Sequence, residues 1–285
     1  MEFRTIVDIS ELGFRIRPFE EILFVGSCFA DSIGRRFQEE QFRVTVNPYG
    51  VMYNPASISH TIERMAACNT LDLQSVKTAF LTLGTNHVYR LKETGEIVDN
   101  CQKRPQSLFT EEELSVDECA DYLERTINLL CQHNPEIHIV LTVSPIRYRK
   151  YGYHGSQLSK ATLLLAVEKV LGNQGILGNP SNPRDSRIAY FPAYEILNDE
   201  LRDYRFYQED MLHPSQQAVD YIWERLVETC FSDEAKTFMD EWRPVKQALS
   251  HRPFDASSDD YLRFQEQTRL RIKSLQEKYP VLKEI

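Results

Sequence analysis

Five short apolar runs punctuate the chain, and amphipathic segments lie between them. The runs cover about 22–25, 42–46, 77–83, 137–143 and 187–191, and each is followed by glycine, asparagine, serine or proline. Runs of this length favour buried strands over helices. The intervening segments repeat apolar residues every three or four positions, which predicts helices near 29–40, 55–68, 157–171 and 214–230. Strands that alternate with helices indicate a parallel sheet covered on both faces.

Three further segments complete this prediction. Residues 87–99 have the pattern of a hairpin that turns at 93–96. Thr110 and Glu113 have the spacing of a capping box, so we expect a helix to begin there and to run past Leu130. From residue 233 the chain is richer in charge and has two helical stretches. The prediction is therefore an α/β domain over 1–232 and a helical extension over 233–285.

Composition and charge exclude several classes of protein. The chain has 285 residues, a formal net charge of −9 and 42% hydrophobic residues, so a globular acidic protein is expected and nucleic acid is a poor partner. The sequence contains no apolar run of about 18–20 residues and no signal-peptide pattern, which predicts a cytoplasmic protein without membrane contact. Six cysteines without a C-x-x-C pair favour free thiols, and no metal or organic cofactor is expected.

Candidate chemistry gathers after the strands, because functional groups of a parallel sheet lie beyond its carboxyl edge. Ser27 follows the first run at a strand-to-helix turn and is a candidate nucleophile. His213 is the candidate base and Asp210 its orienting partner. The candidate oxyanion donors are the backbone N–H groups of Ser27 and Gly50 and the side-chain amide of Asn86, with the amide of Asn100 as a second candidate for the side-chain donor.

Each assignment has a structural alternative. Serine before a helix is a frequent N-cap, so Ser27 alone does not identify a nucleophile. The neighbouring Cys28 is either a buried thiol or a thiolate nucleophile at a helix N-terminus. His213 and Asp210 lie before Pro214 and could instead belong to a helix start.

Gly26-Ser27, Gly50, Gly84-Thr85-Asn86 and Asp210-x-x-His213 follow the order of the SGNH/GDSL-like hydrolases. Several motifs more specifically resemble the GSCFA-domain family: Gly26-Ser27-Cys28-Phe29-Ala30, Asn47-Pro48-Tyr49-Gly50, Asn100-Cys101-Gln102-Lys103, Thr142-Val143-Ser144-Pro145, Tyr204-Arg205-Phe206-Tyr207 and Asp210-Met211-Leu212-His213-Pro214-Ser215. The resemblance implies a three-layer α/β/α sandwich with a five-stranded parallel, flavodoxin-like sheet, and esterase or acyl-transfer activity. Two departures are a glycine where Gly-Asp-Ser enzymes have Asp before the serine, and Gln102 where similar proteins have histidine.

These features together predict a serine esterase for a small acyl group, with O-acetyl as the first candidate and a carbohydrate as one possible alcohol. An acyltransferase that uses the same residues and a non-catalytic binding module are the alternatives. Further candidates for substrate contact, each with a surface role as its alternative, are Asn47, Asn100, Lys103, Arg147, His154 and Tyr207. The oligomeric expectation is a monomer or a homodimer.

Overall fold

The computed structural model describes residues 4–10, 12–68, 71–99, 101, 104–172, 187–255 and 257–282. In chain order its main elements are β1 (Glu21–Gly26), α1 (Cys28–Glu39), β2 (Arg43–Val46), α2 (Pro55–Cys68), β3 (Val76–Leu83), β4 (His87–Leu91), β5 (Ile97–Val98), β6 (Phe109–Glu113), α3 (Val116–His133), β7 (His138–Val143), α4 (Gly152–Gly172), β8 (Ile188–Tyr190), α5 (Ala193–Glu195), α6 (Gln216–Cys230), α7 (Asp233–Ser250) and α8 (Asp259–Lys278).

The five apolar runs form one sheet in the order β2-β1-β3-β7-β8. Every neighbouring pair in it is parallel. Its three central strands, β1, β3 and β7, are buried on both faces because helices cover both, which explains why their sequences are continuous apolar runs rather than alternating ones. The predicted five-stranded parallel sheet is therefore confirmed.

Alternate residues of each strand enter two separate cores. Ile22 and Phe24 of β1 pack in the core under α1, α6 and α7. Leu23 and Val25 of the same strand pack in the core under α2, α3 and α4. This is the side-chain period of two that a strand imposes, and it produces the three-layer arrangement.

The helix predicted to begin at Thr110 is a correction. Residues 109–113 form β6, which pairs antiparallel with β4, and β4 also pairs with β5 in a small three-stranded sheet. The capping box belongs to Ser115 and Glu118, so α3 begins at Val116. Both stretches have the serine/threonine-x-x-glutamate spacing. The partner strand β4 decides between them, because the carboxylate of Glu112 on β6 pairs with Arg90 at 3.0 Å.

The C-terminal helical extension is present and packs against α1. The buried Trp242 of α7 donates its indole N–H to the Glu39 carbonyl over 2.8 Å, and Lys246 pairs with Glu40 at 2.6 Å. Phe238 and Trp242 belong to the same core as α1 and α6. Among the described helices, none is both long enough and apolar enough to cross a bilayer.

Candidate active site

A tight turn carries the chain from β1 into α1. Gly26 has φ +147°, and a Cβ there would overlap the Thr82 carbonyl of the neighbouring strand, so only glycine fits. Ser27 follows wholly buried, and its backbone N–H donates to that carbonyl over 3.0 Å. Its hydroxyl accepts the Phe29 N–H over 3.3 Å. Ser27 is therefore the N-cap of α1.

The side chain that faces the histidine is that of Cys28. The Cys28 Sγ lies 3.9 Å from His213 Nε2, and His213 Nδ1 lies 2.6 Å from Asp210 Oδ2. No hydrogen bond connects Ser27 with His213 in the described part of the chain. The sequence favoured Ser27 as the partner of His213, whereas in the structure the side chain of the next residue approaches the imidazole and the Ser27 hydroxyl caps α1.

The acid–base pair is held by its own short turn. One Asp210 oxygen accepts the backbone N–H groups of Leu212 at 2.8 Å and His213 at 3.0 Å. These bonds, with the one to the imidazole, lower the pKa of the Asp210 carboxyl to about 2. The carboxylate therefore stays charged at neutral pH and fixes the Nδ1–H tautomer of His213, which leaves Nε2 free to accept the thiol proton.

Arg147 and Tyr207 contact the turn that carries Asp210 and His213. Arg147 donates from its guanidinium to the Met211 carbonyl over 3.1 Å and from its backbone to the Leu212 carbonyl over 3.0 Å. Its guanidinium also lies 5.2 Å from the Tyr207 ring centroid and 4.2 Å from that of Tyr153. Two residues predicted to contact substrate therefore position the loop that carries His213.

Opposing influences act on the Cys28 thiol. Burial raises its pKa above the ordinary value, and the nearby Asp31 carboxylate adds to the rise. The backbone N–H of Cys28 itself and a hydrogen bond from the Tyr53 hydroxyl act in the opposite direction but do not cancel it. The resting group is thus the thiol, so a base is needed to remove its proton during attack.

The three expected oxyanion donors have other partners. The Ser27 N–H is bound to Thr82, and the Gly50 N–H donates to the Asn47 carbonyl over 2.8 Å. The Asn86 amide donates to the Leu114 carbonyl over 2.8 Å. These contacts stabilise turns and the β6–α3 connection, and the Asn86 amide has a second N–H beside the one that donates to Leu114.

Both polar atoms of the Asn47 side chain also have hydrogen-bond partners within the fold. Its side-chain oxygen accepts the Gly26 N–H over 2.8 Å, and its amide donates to Asp31 over 2.6 Å. His154 lies exposed in the first turn of α4. The remaining two candidates, Asn100 and Lys103, fall outside the described residues.

Sequence reasoning missed a buried lysine beneath the site. Lys160 of α4 is 2% exposed and donates to the carbonyls of Gly84 at 2.6 Å and Ser144 at 2.7 Å. Burial lowers its pKa to about 7. The sequence did carry a signal for this burial: Lys160 lies three positions before Leu163 and seven before Val167, on the buried face of the helix.

An aromatic cavity of about 330 Å³ is lined by Tyr53 but not by Cys28. Its lining comprises Tyr53, Asn54, Thr85, His87, Tyr89, Val98, Asp99, Cys101, Tyr148 and Tyr151. Tyr53 connects the cavity with Cys28, since its hydroxyl also hydrogen-bonds the thiol. His87 stacks on Tyr151 with ring centroids 3.5 Å apart. Within the described ranges, no group of three or more His, Cys, Asp or Glu side chains could hold a metal ion.

Comparison with known proteins gives a family and several remote structural matches. The family model described as "GSCFA family" matches residues 21–76 and 68–226, and the model "GSCFA domain protein, C-terminal domain" matches 242–284. No curated protein sequence matches the chain.

Solved structures resemble the chain at low identity. A catalytic mutant of an acetylxylan esterase from Geobacillus stearothermophilus is 13% identical, with 77% of this chain and 98% of that one covered and a TM-score of 0.46. A carbohydrate esterase family 3 protein from Talaromyces cellulolyticus is 10% identical, with 77% and 98% covered and a TM-score of 0.43.

Proposed function

The chain belongs to the GSCFA family, and from that premise we propose that it is an acyl-transfer enzyme whose nucleophile is Cys28. The observation that carries the proposal is the 3.9 Å approach of Cys28 Sγ to His213 Nε2, with Asp210 on the other imidazole nitrogen. A nucleophile, a base and an orienting carboxylate in line form the arrangement that acyl transfer requires. The expected chemistry is retained, but a thiol replaces the serine hydroxyl.

The order of residues supports the same assignment. When Cys28 is aligned with the serine of a Gly-Asp-Ser motif, Ser27 takes the position of the Asp and Gly26 keeps the position of the glycine. This alignment accounts for the position of Gly26, and Ser27 then stands where those enzymes have Asp. A non-catalytic module stays the alternative, motivated by that replacement and by the C-terminal helices.

Each chemical step has a residue to perform it. His213 Nε2 takes the thiol proton while Sγ bonds to the ester carbonyl carbon, and Asp210 stabilises the imidazolium that forms. The carbon–oxygen bond of the ester then breaks, and His213 returns the proton to the departing alcohol. The acyl group is left on Cys28 as a thioester. Water, deprotonated by His213, attacks this thioester and restores the thiol; a second alcohol in place of water would make the enzyme a transferase.

The cavity suggests which side of the substrate it binds. Four tyrosines line it, whereas Val98 is its one aliphatic residue, so it suits a ring with polar substituents better than an acyl chain. Its volume of about 330 Å³ is enough for a single ring. We therefore place the alcohol portion in the cavity and a small acyl group, such as acetyl, at Cys28. Acetylated monosaccharides belong to this class.

Hydrolysis of p-nitrophenyl acetate by matched variants tests the nucleophile. We expect Cys28→Ala and His213→Ala to lose activity by at least about 10³-fold, whereas Ser27→Ala retains most of it. Activity that survives in Cys28→Ala but not in Ser27→Ala would refute the proposal. If neither substitution changed the rate, the binding-module alternative would be favoured.

Filling the cavity tests the substrate class separately. Val98→Trp should raise KM for an acetylated monosaccharide at least about tenfold because the ring no longer fits, while hydrolysis of ethyl acetate, with its short alcohol, continues. Equal effects on both esters would mean that the alcohol binds elsewhere.

A further inference from the structure

Acyl transfer at Cys28 needs hydrogen-bond donors for the carbonyl oxygen that becomes negative. The donors expected at Gly50 and Asn86 are bound to other groups. One natural donor is the backbone N–H of Cys28, because it is the first of α1 and has no partner inside its own helix. A single N–H is fewer than such sites normally use, so a second donor is required.

Tyr148 supplies a hydroxyl next to this position. A Cβ on Gly84 would overlap the Tyr148 hydroxyl oxygen and would lie 3.4 Å from the Ser27 Cβ, so the hydroxyl is beside the turn that presents Cys28. Its ring makes an edge contact with Tyr53 at 6.3 Å between centroids, and Tyr53 bonds the thiol. The tyrosine follows β7, whose end lies in the same sheet edge.

The Tyr148 hydroxyl has no hydrogen-bond partner in the described part of the chain, although the oxygen is fully buried. A buried hydroxyl without a partner destabilises the folded protein, and phenylalanine at this position would avoid the cost. The fold alone therefore gives no reason for a tyrosine here. A tyrosine is explained if its hydroxyl finds an acceptor only during the reaction.

We propose that the Tyr148 hydroxyl, together with the Cys28 backbone N–H, donates a hydrogen bond to the oxyanion formed when Cys28 attacks an ester. This inference rests on the proposed function. Burial raises the pKa of Tyr148 well above its ordinary range, so the group keeps its proton and can act as a donor. Lys160 lies with its Nζ 5.1 Å from the Tyr148 ring centroid, on the inner side of the sheet edge. Removal of water from the site increases what such a donor contributes to the transition state.

Tyr148→Phe tests the proposal, with Tyr194→Phe as the matched control. Tyr194 lies near the same lysine, with Lys160 Nζ 5.9 Å from its ring centroid, but its hydroxyl is bound to Gln157 and it does not line the cavity. Two reactions of Cys28 are compared in each variant: acetylation by p-nitrophenyl acetate, which develops an oxyanion, and alkylation by iodoacetamide, which does not. Thermal unfolding is measured in parallel.

We expect Tyr148→Phe to slow acetylation of Cys28 by about 10²- to 10³-fold. The rate of alkylation by iodoacetamide and the KM for p-nitrophenyl acetate should stay within a factor of about three of the wild-type values. Its melting temperature should stay equal or rise, because the substitution removes an unpartnered hydroxyl. Tyr194→Phe should acetylate like the wild type. A purely structural role for Tyr148 would instead lower the melting temperature and slow both reactions alike.

Two outcomes would overturn the proposal, and they are distinguishable. Acetylation of Cys28 at the wild-type rate in Tyr148→Phe would remove Tyr148 from the oxyanion site while leaving the nucleophile intact. Failure of Cys28 to become acetylated in the wild type would remove the proposed function and this inference with it.

Discussion

The two sides of the site are built in different ways. The acid–base loop, residues 207–214, carries Asp210 and His213 with side chains 41% and 37% exposed. The bonds that Asp210 makes within it span only two or three residues, and Arg147 ties it to the rest of the site. The strand-end floor, which comprises Ser27, Gly84, Ser144, Tyr148 and Lys160, joins positions up to 76 residues apart. The loop is a local turn on the surface, whereas the floor depends on the whole sheet.

This difference explains what each side contributes. The loop holds a proton acceptor, His213, where solvent can reach it, and one carboxylate orients the imidazole. The floor fixes backbone positions and keeps polar groups away from water. Electrostatic interactions are stronger in such a dry environment than in water. Substitution of Lys160 or Ser27, whose floor contacts bond backbone groups, should therefore alter stability or its pH dependence. Substitutions in the loop, and of the unpartnered Tyr148 hydroxyl, should alter turnover.

The largest expected effect is that of Lys160→Met on stability. The substitution leaves the Gly84 and Ser144 carbonyls without their donor, which should lower the free energy of unfolding by about 2–5 kcal/mol. The control is Lys169→Met on the same helix, where an exposed lysine pairs with Asp117 and a change below about 0.5 kcal/mol is expected. Urea unfolding at pH 7 measures both, and equal losses would contradict a special role for the floor.

The same lysine should give stability a distinctive pH dependence. Its folded pKa of about 7 is lower than that of an unfolded lysine, so from about pH 7 to 8 the unfolded state binds more protons and stability rises with pH by about 1 kcal/mol per unit. Above about pH 8 the unfolded thiols of Cys119 and Cys230 begin to lose their protons while the folded ones, whose pKa values burial raises to about 12, keep them, and this opposes the rise. Lys160→Met should abolish the slope, and an unchanged slope would refute this origin.

Loosening the loop should affect turnover. Arg147→Ala removes the guanidinium bond to the Met211 carbonyl, so we expect kcat to fall about tenfold, equivalent to about 1.4 kcal/mol, with KM nearly unchanged. Arg149→Ala, at an exposed neighbour, is the control and should have no comparable effect. A rise in KM alone would show that Arg147 binds substrate, as the sequence first suggested.

Ser27→Ala should separate the cap from the nucleophile. Loss of the hydroxyl that accepts the Phe29 N–H should cost about 1 kcal/mol of stability, with kcat within about twofold of the wild type. Thermal unfolding and ester hydrolysis on the same sample give both values. Retained stability with lost activity would reverse the roles of Ser27 and Cys28.

The smallest expected effect concerns the thiol itself. Tyr53→Phe removes a hydrogen bond that favours the thiolate, so the pKa of Cys28 should rise further. Iodoacetamide alkylation at pH 8 should then slow about threefold, the equivalent of one modest hydrogen bond. The pH profile of alkylation would show whether the change comes from protonation, and an unshifted profile would exclude that explanation.

The contrast between loop and floor also decides what could be predicted from sequence. The parallel sheet and most helices follow from local apolar patterns, and Asp210 with His213 follows from a compact motif whose bonds are local. The sequence does not distinguish Ser27 from Cys28 as nucleophile, because both directly follow the glycine turn and only the direction of each side chain at the helix start separates them. Tyr148 and its neighbourhood carry no local signal, since their contacts depend on distant strands. The β6 segment shows the same limit, because its partner β4 outweighs the capping pattern.

The site of acylation is the most direct test of the account. The protein is mixed with p-nitrophenyl acetate, quenched in acid within the first turnovers, and mapped by peptide mass spectrometry; an aliquot is treated with neutral hydroxylamine, which cleaves thioesters more readily than oxygen esters. The account predicts an acetyl group on Cys28 that hydroxylamine removes and that does not form in His213→Ala. A resistant acetyl group on Ser27 would contradict it.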